Sequence, residues 1–585
     1  MNRPSRTRRV LAAALLAVVV SVAACWGALH LVPLPAGLEL SPAPSLLVTD
    51  ARGEVLRELP VDGHYARPPL PLDQIPLALR QATIAAEDKR FYAHGGVDFL
   101  ALGRAVTGQF GWRRAGERRS GGSTITEQLI KLSQPRPRTV WTKLVEAVQA
   151  LRLEQVWTKD RILAAYLNRL DYGNRDLGCA AAARHYFGKR PTDLSTAEAA
   201  LLAALPQSPT RLNPFRHLER ARARQQWVLQ RMGEAPGAAA DEIARARVEP
   251  LRLAARARPF EAPHFVEHLL AAGGPLPANA RREVATTLDL GLNRFVTDAL
   301  RQHLAGLRAQ RVGNGAAVVI DNRTGGVLAL VGSADFFSPR GGQIDGAWAR
   351  RSPGSTIKPF TYLLAFERGA TPADVVDDLP AEFPSSGAVY RPENYSHRFY
   401  GPMRLRPALA NSLNISAVRV LADKAGGPSA LWQRLRACGL TTLPLPADHY
   451  GLGLTLGNAE ARLLELTDAY ACLARLGEYR RCRWFQSGRD PQASVRLTDP
   501  CSAYLLADIL ADNGARALSF GVDSDLRWDF PVACKTGTST DFRDNWAMGY
   551  TPEFTVGVWV GNFDGRPMLD VSGVTGAGPI LHEVF

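Results

Sequence analysis

None of the seven cysteines in this 585-residue chain lies in a Cys-x-x-Cys pair or a Cys/His cluster, which argues against a zinc site. The chain also lacks a recognition-helix motif and any basic sheet pattern interleaved with aromatics. Its net charge of +14 is therefore not read as a nucleic-acid footprint. What remains for such a basic surface is an anionic lipid or a phosphate-bearing substrate. Apolar residues make up 46% and charged residues 22%, as in an ordinary globular protein. The length exceeds what one hydrophobic core supports and predicts about two to four domains. Four cysteines, Cys438, Cys472, Cys482 and Cys501, fall close together in the second half. Cys472 and Cys482 are near enough in sequence for a local bridge, with free buried thiols as the alternative.

The N-terminus favours a membrane as the anionic partner. Arg3, Arg6, Arg8 and Arg9 precede an apolar run over residues 10–32. About 20 apolar residues span a bilayer, and basic residues stay on the cytoplasmic side. The reading is a single-pass anchor with the bulk of the chain outside the cytoplasm. A cleavable signal peptide competes with it, as does a lipoprotein signal ending at Cys25. The anchor is preferred because the apolar run continues past Cys25.

Residues 33–44 are Pro-rich and read as an extended linker. From about residue 74 to 230 the pattern is helical, with 3.6-residue periodicity over 143–170 and 196–205. Ser195 and Glu198 form a capping-box signature at the start of the latter. Arg113, Arg114, Arg118 and Arg119 fall in a Gly-containing stretch read as a basic loop, solvated or facing lipid headgroups. Residues 233–285 read as a connector. Beyond them, 316–320 and 327–331 look like strands flanking a turn, as do 554–560 and the segment around Lys535. Helices are expected around 356–368 and 406–424, so the second half is mixed α/β.

Two groups of residues carry chemistry. In the first, Glu87 ends a helical pattern, and Glu146 lies on another helix with Lys143 on the same face. Two carboxylates from separate helices suit general-base and leaving-group work. Gly121, Gly122, Ser123 and Thr124 make a tight turn at a helix start, where free N–H groups and hydroxyls suit a pyrophosphate. Taken alone, a Glu-Asp pair before an aromatic is an ordinary charged helix end. His94 reads as a hydrogen-bonded histidine at a helix end, and Trp141, Trp157 and Tyr166 as core filling. In the second group, Ser355 and Lys358 sit one helical turn apart behind Pro353 and Gly354. The helix dipole favours a developing alkoxide, and a desolvated Lys358 can take the proton. Ser412 and Asn414 relay a proton and orient an amide. Lys535, Thr536, Gly537 and Thr538 on a strand offer a cation and hydroxyls to a carboxylate, with Gly537 allowing close backbone approach. The N–H groups of Ser355 and Thr538 would form an oxyanion hole.

Here the order of motifs becomes informative. Residues 87–96, 121–131, 143–146, 162–168 and 194–206 resemble the ordered motifs of peptidoglycan glycosyltransferases, glycosyltransferase family 51. Ser355-x-x-Lys358, Ser412-x-Asn414 and Lys535-Thr536-Gly537, with 354–359 and 545–552, are similar to the transpeptidases among penicillin-binding proteins. The whole chain from about residue 10 resembles class A penicillin-binding proteins, most nearly the 1C type, to which 129–132, 135–139 and 578–581 point.

That resemblance implies a transmembrane helix, a mainly α lysozyme-like glycosyltransferase domain and an α/β transpeptidase domain with an antiparallel sheet and helices. The boundaries expected are 1–32 for the cytoplasmic tip and anchor, 33–232 for the glycosyltransferase with its linker, 233–285 for the connector and 286–585 for the transpeptidase. The implied activity is polymerisation of lipid II with Glu87 as base, then cross-linking of stem peptides through a Ser355 acyl-enzyme. Glu146 with Lys143 would assist departure of the lipid diphosphate. Ser123, Thr124, Gln128, Lys131 and Lys143 would bind that substrate, and Thr536, Gly537 and Thr538 the other.

A divalent cation, Mg or Mn, is implied for glycosyl transfer and no cofactor for transpeptidation; no residue is assigned as a metal ligand. Expected partners are lipid II, nascent glycan strands, stem peptides, β-lactams, the cytoplasmic membrane and other wall-synthesis proteins, but no nucleic acid. The expected location is the inner membrane, with catalytic domains in the periplasm. Many relatives carry a further small C-terminal domain, which is expected to be absent or cut off. Two positions depart from the family pattern: Glu127 stands where Gln is usual and Leu132 where Asn is usual. The alternatives are a DD-carboxypeptidase or β-lactam-binding hydrolase with an inert helical partner, and a non-enzymatic wall-synthesis scaffold.

Overall fold

The computed structural model describes residues 27–101, 123–254, 258–272, 283–385, 388–486 and 493–585, together with Val20 and Gly103. Cys25, most of the N-terminal apolar run, the arginines of 113–119 and the Gly121-Gly122 turn lie outside the described residues. Among the described residues no helix is long and apolar enough to cross a membrane. The chain divides into two compact units, Met1–Leu46 with Glu58–Arg258, and Leu47–Arg57 with Pro259–Phe585. The stretch read as a connector is therefore shared. It carries helix Ala240–Val248 in the first unit and helix Pro263–Ala272 in the second.

The first unit is mainly helical around Thr196–Ala204, in which every residue from Ala197 to Ala204 is buried. A helix apolar on all sides belongs in a core, and its alanines let Leu77–Glu87 and Leu218–Gly233 pack against it. The capping box is present: Ser195 Oγ accepts the Glu198 N–H at 3.2 Å, and Glu198 Oε2 accepts that of Ser195 at 2.9 Å. The periodic stretch 143–170 is two helices, Val140–Val156 and Lys159–Leu167. Thr158 divides them, because its hydroxyl accepts the Arg161 N–H at 3.3 Å and caps a new helix start.

The second unit is built on a five-stranded sheet in the order Ala533–Thr538, Asp544–Tyr550, Phe554–Gly561, Asn314–Asp321, Val327–Val331. All neighbours are antiparallel. Helices Leu290–Gly306 and Gly578–Val584 cover one face, with Val296, Leu300, Ala317, Val556, Val558 and Leu581 in a common core. Helix Leu463–Ala474 also packs on the sheet, where Gly557 lies so close to Thr467 that a side chain would collide. Burial on both faces explains why the central strands read as continuous apolar runs without alternation. Strand Ala533–Thr538 is the edge that faces the Ser355 turn.

Among the described residues no disulfide joins any of the six cysteines. The Cys472–Cys482 bridge is not formed; the Cys472 thiol instead meets that of Cys438, and the hydrogen bond between them, then burial, pushes the Cys438 thiol up.

Leu201, 0% exposed, tests the helical core. Leu201→Ala should cost about 2–5 kcal/mol, read as a lower urea midpoint for the first unit's unfolding. An unchanged midpoint would contradict the central place given to this helix.

Two candidate active sites

Glu87 is the last residue of helix Leu77–Glu87, and Asp88 already leaves the helical region at φ −152°, ψ 80°. Gln128, from helix Ile125–Ser133, donates through Nε2 to Glu87 Oε2 at 2.9 Å. The Tyr166 hydroxyl donates to Gln128 Oε1 at 2.7 Å and so fixes which way the amide faces. Burial, then the Glu87 and Asp88 carboxylates, push the Tyr166 phenol up, so it stays a donor. Tyr166 fills core space, as its sequence context suggests, yet it also orients the residue that holds Glu87. The sequence carries no signal for this, because the contact spans 38 residues.

His94 has the structural role expected of it. Its Nδ1 accepts the Gly96 N–H at 3.2 Å, which leaves Nε2 to donate to Asp88 Oδ2 at 3.0 Å. Asp88 Oδ2 also accepts the Ile125 N–H at 3.1 Å and ties the loop to the next helix.

On the other side of this unit's site, Lys143 Nζ donates to Ser123 Oγ at 2.8 Å and lies 4.0 Å from Glu146 Oε2. Glu146 is buried at 5% exposure, and Lys131 is exposed. Thr124, expected to face substrate, is turned into the fold. Its hydroxyl donates to the Gly96 carbonyl at 2.6 Å and accepts the Glu127 N–H at 3.1 Å. Glu127 Oε2 in turn accepts the Thr124 N–H at 2.9 Å, which completes a capping box. Glu and Gln both serve at that position of the box. The helix start is thus kept, while Glu127 adds a carboxylate near Glu146. Burial raises its pKa, against the Thr124 N–H and Lys143, while Glu146 and Asp88 raise it further.

In the second unit, Ser355 lies in a short 3-10 turn, Gly354–Ile357, that runs into helix Lys358–Glu367. Residues three apart eclipse in such a turn, which places Lys358 beneath Ser355. Pro359 at the second position of the helix removes an N–H that has no partner there. Two glycines allow the turn to lie against strand Ala533–Thr538. Gly354 has φ +54°, and a Cβ there would lie 2.7 Å from the Thr538 carbonyl oxygen. A Cβ on Gly537 would lie 2.3 Å from the Pro353 carbonyl oxygen. Two residues not anticipated from sequence hold the same turn: Tyr470 donates to the Thr356 carbonyl at 2.7 Å, and Trp546 Nε1 to that of Ser352 at 2.8 Å.

The expected helix over 406–424 is broken into Leu405–Ala410 and Asn414–Asp423. Ser412 sits in the break at φ 61°, unusual for a residue with a side chain. Its hydroxyl accepts from Lys535 Nζ at 2.7 Å and from Lys358 Nζ at 3.3 Å. Lys358 Nζ also donates to the Ser412 carbonyl at 2.5 Å and Asn414 Oδ1 at 2.6 Å. Both amines are almost fully buried, at 0% and 3% exposure. Burial pulls Lys358 well below its ordinary range, Lys535 adds to this, and Asp378 opposes it. Burial brings Lys535 down to about 7, with Cys534 opposing and Arg516 adding. Thr538 Oγ1 accepts the Gly573 N–H at 3.0 Å, and Thr536 is buried beside Lys535. Lys358, Ser412, Asn414 and Lys535 thus form one hydrogen-bonded cluster, and the turn that carries Ser355 runs into the helix of Lys358 and packs on the strand of Lys535.

A helical unit with a carboxylate at a helix end, followed by a sheet-based unit with a serine and two buried amines, defines a glycosyltransferase joined to a serine acyltransferase. Residues 52–233 match the transglycosylase family, and residues 315–584 match the penicillin binding protein transpeptidase domain. Penicillin-binding protein 1C of Escherichia coli (strain K12) is 36% identical, over 96% of this chain and 70% of that protein. Penicillin-binding protein 1A of Aquifex aeolicus (strain VF5) is 30% identical, over 88% of this chain and 82% of that protein. The solved structure of penicillin-binding protein 1A from Haemophilus influenzae shares the fold, with a TM-score of 0.63 at 20% identity over 92% of this chain and 91% of that one. The chain belongs to the class A penicillin-binding proteins, and its two domains carry glycosyl transfer and transpeptidation in peptidoglycan synthesis.

Gly537→Ala tests the packing of the serine turn. Displacing reacting groups by about 1 Å can cost on the order of 10²-fold in rate. Penicillin acylation should fall by that order while lipid II polymerisation by the same preparation is unchanged. Acylation at the wild-type rate would show that the close approach is not needed.

Proposed function

We propose that Glu87 is the general base of glycan elongation and Ser355 the nucleophile of cross-linking. The observation that carries the first half is the Tyr166–Gln128–Glu87 chain of hydrogen bonds, which holds one carboxylate in one orientation. Glu87 takes the proton of the acceptor sugar hydroxyl as that oxygen attacks the donor sugar. Lys143, with Ser123 and Glu146 beside it, faces the departing diphosphate.

A divalent cation fits this site only with help from the substrate. Among the described residues no cluster of three or more His, Cys, Asp or Glu is placed to hold one. Mg commonly binds one or two carboxylates together with phosphate oxygens, and Glu146 and Glu127 are the carboxylates available. When bound, the cation neutralises charge on the leaving diphosphate.

In cross-linking, Ser355 Oγ attacks the penultimate D-Ala carbonyl and passes its proton to neutral Lys358. The amine hands that proton through Ser412 to the departing D-Ala nitrogen, and the acyl group stays on Ser355 until an acceptor amine displaces it. The Ser355 and Thr538 N–H groups receive the oxyanion. Lys535 and Thr536 receive the substrate carboxylate. The same acylation by a β-lactam explains penicillin binding. The buried amines, paired with one another through Ser412, support an acyl-transfer site over an inert scaffold. The arginines and apolar run of the N-terminus support retention at the inner membrane, with both units in the periplasm.

Two measurements follow. Glu87→Gln should lower lipid II polymerisation by about 10²–10⁴-fold while leaving penicillin labelling of Ser355 intact; equal polymer from both proteins sinks the assignment. Penicillin acylation should fall as pH falls, because Lys358 takes the Ser355 proton only when neutral, and it is protonated below its lowered pKa. An acylation rate that does not fall as the pH is lowered, down to the acid limit of the folded protein, would rule out Lys358 as the base.

A further inference from the structure

Helix Asn414–Asp423 starts without a cap of its own. Leu413, at the capping position, has no side-chain acceptor, yet the first N–H groups of a helix require partners. The acceptor comes from another loop. Asn394 Oδ1 takes the N–H of Asn414 at 2.8 Å and that of Ile415 at 3.5 Å. Asn394 Nδ2 donates to Asp378 Oδ2 at 2.7 Å and to the Arg398 carbonyl at 2.9 Å, so only one orientation of the amide satisfies both ends. Asp378 also accepts the Tyr400 N–H at 3.0 Å and the Ser416 hydroxyl at 3.3 Å.

Both residues are buried, Asn394 at 2% exposure and Asp378 at 0%. Asp378 ends strand Val375–Asp378, which pairs with Gly401–Arg404, and Asn394 lies in the excursion between these strands. The neighbouring Glu393 carbonyl accepts from Asn414 Nδ2 at 2.6 Å, which turns Asn414 Oδ1 toward Lys358 Nζ.

We propose that Asn394, anchored by Asp378, is a positioning residue of the transpeptidase, capping from a separate loop the helix that presents Asn414 to Lys358. It rests on the assignment of Ser355 and Lys358 made above. Neither Asn394 nor Asp378 reaches the reacting atoms; both act through Asn414. Asp378 has a second effect, because it faces Lys358 as a charge opposite in sign to Lys535. Cys534 and Arg516 stand on the far side of Lys535.

Two variants separate cap from charge. Asn394→Ala removes the cap. Asp378→Asn keeps the shape: its amide oxygen can accept from Asn394 and Tyr400, and its NH₂ group can donate to the Ser416 hydroxyl, while the charge is lost. The experiment measures penicillin acylation by the full chain, resolved into pre-covalent binding and the acylation step, with lipid II polymerisation followed in the same preparation. Asn394→Ala should slow the acylation step about 10²-fold and change pre-covalent binding by less than about two-fold, with polymerisation unaffected. Asp378→Asn should shift the acid limb of acylation to lower pH, because Lys358 loses a charge that favours its protonated form. Wild-type acylation by Asn394→Ala, an equal loss of binding and acylation, or an unshifted Asp378→Asn profile would each overturn the proposal. If Asn394→Ala does not fold, Asn394→Gln, which keeps the amide but displaces it by one methylene, is measured in its place, with the same slowing of the acylation step expected and the same outcomes overturning the proposal. Failure of penicillin to label Ser355 in the wild type would remove the underlying assignment and the proposal with it.

Discussion

Two amino groups, Lys358 and Lys535, are buried against one hydroxyl, Ser412 Oγ, and the architecture of the second unit accommodates that arrangement. Burying an amine disfavours its charged form, and a second amine nearby disfavours it further. The site must therefore bring three separate elements to one point: the helix below Ser355, the break at Ser412 and the edge strand of the sheet. Each carries a local feature that would be costly elsewhere. Ser412 has a left-handed backbone, a strain on the order of 1–3 kcal/mol for a residue with a side chain. Gly354 and Gly537 give up side chains so that the turn and the strand can touch. The five-stranded sheet, covered by helices, supplies a rigid base on which such features persist.

The first unit solves its problem with hydrogen bonds in place of buried cations. Glu87 is held by an amide that is itself held by a phenol, and the loop after it is tied by Asp88 to the next helix. Orientation in this site depends on neutral donors packed in the core. Its cationic group, Lys143, is largely exposed.

Much of this was legible in sequence, for identifiable reasons. The capping box at Ser195, the turn over 321–326 and the apolar strands on either side are local patterns, and local patterns write themselves into neighbouring residues. The order of the catalytic motifs was equally plain. Other features were not. Thr158 splits a periodic stretch in two because its hydroxyl competes for the backbone, which a periodicity does not record. Thr124 faces inward because Gly96, far away in the chain, offers a carbonyl. Tyr166, Tyr470, Trp546, Asp378 and Asn394 act across tens to hundreds of residues; such aromatics are ordinarily core and such polar residues ordinarily solvated, so neither type announces a role. The proximity of Cys472 to Cys438, and not to Cys482, is a tertiary fact of the same kind.

Position 127 shows how shape and field can be set independently. A carboxylate or an amide closes the hydrogen-bonded ring at the start of helix Ile125–Ser133 equally well, so the backbone there is indifferent to the choice. The local charge is not indifferent, because a carboxylate at this position can ionise beside Glu146 and Asp88 while an amide stays neutral. A single exchange can therefore alter the charge among these carboxylates and leave the start of the helix where it was.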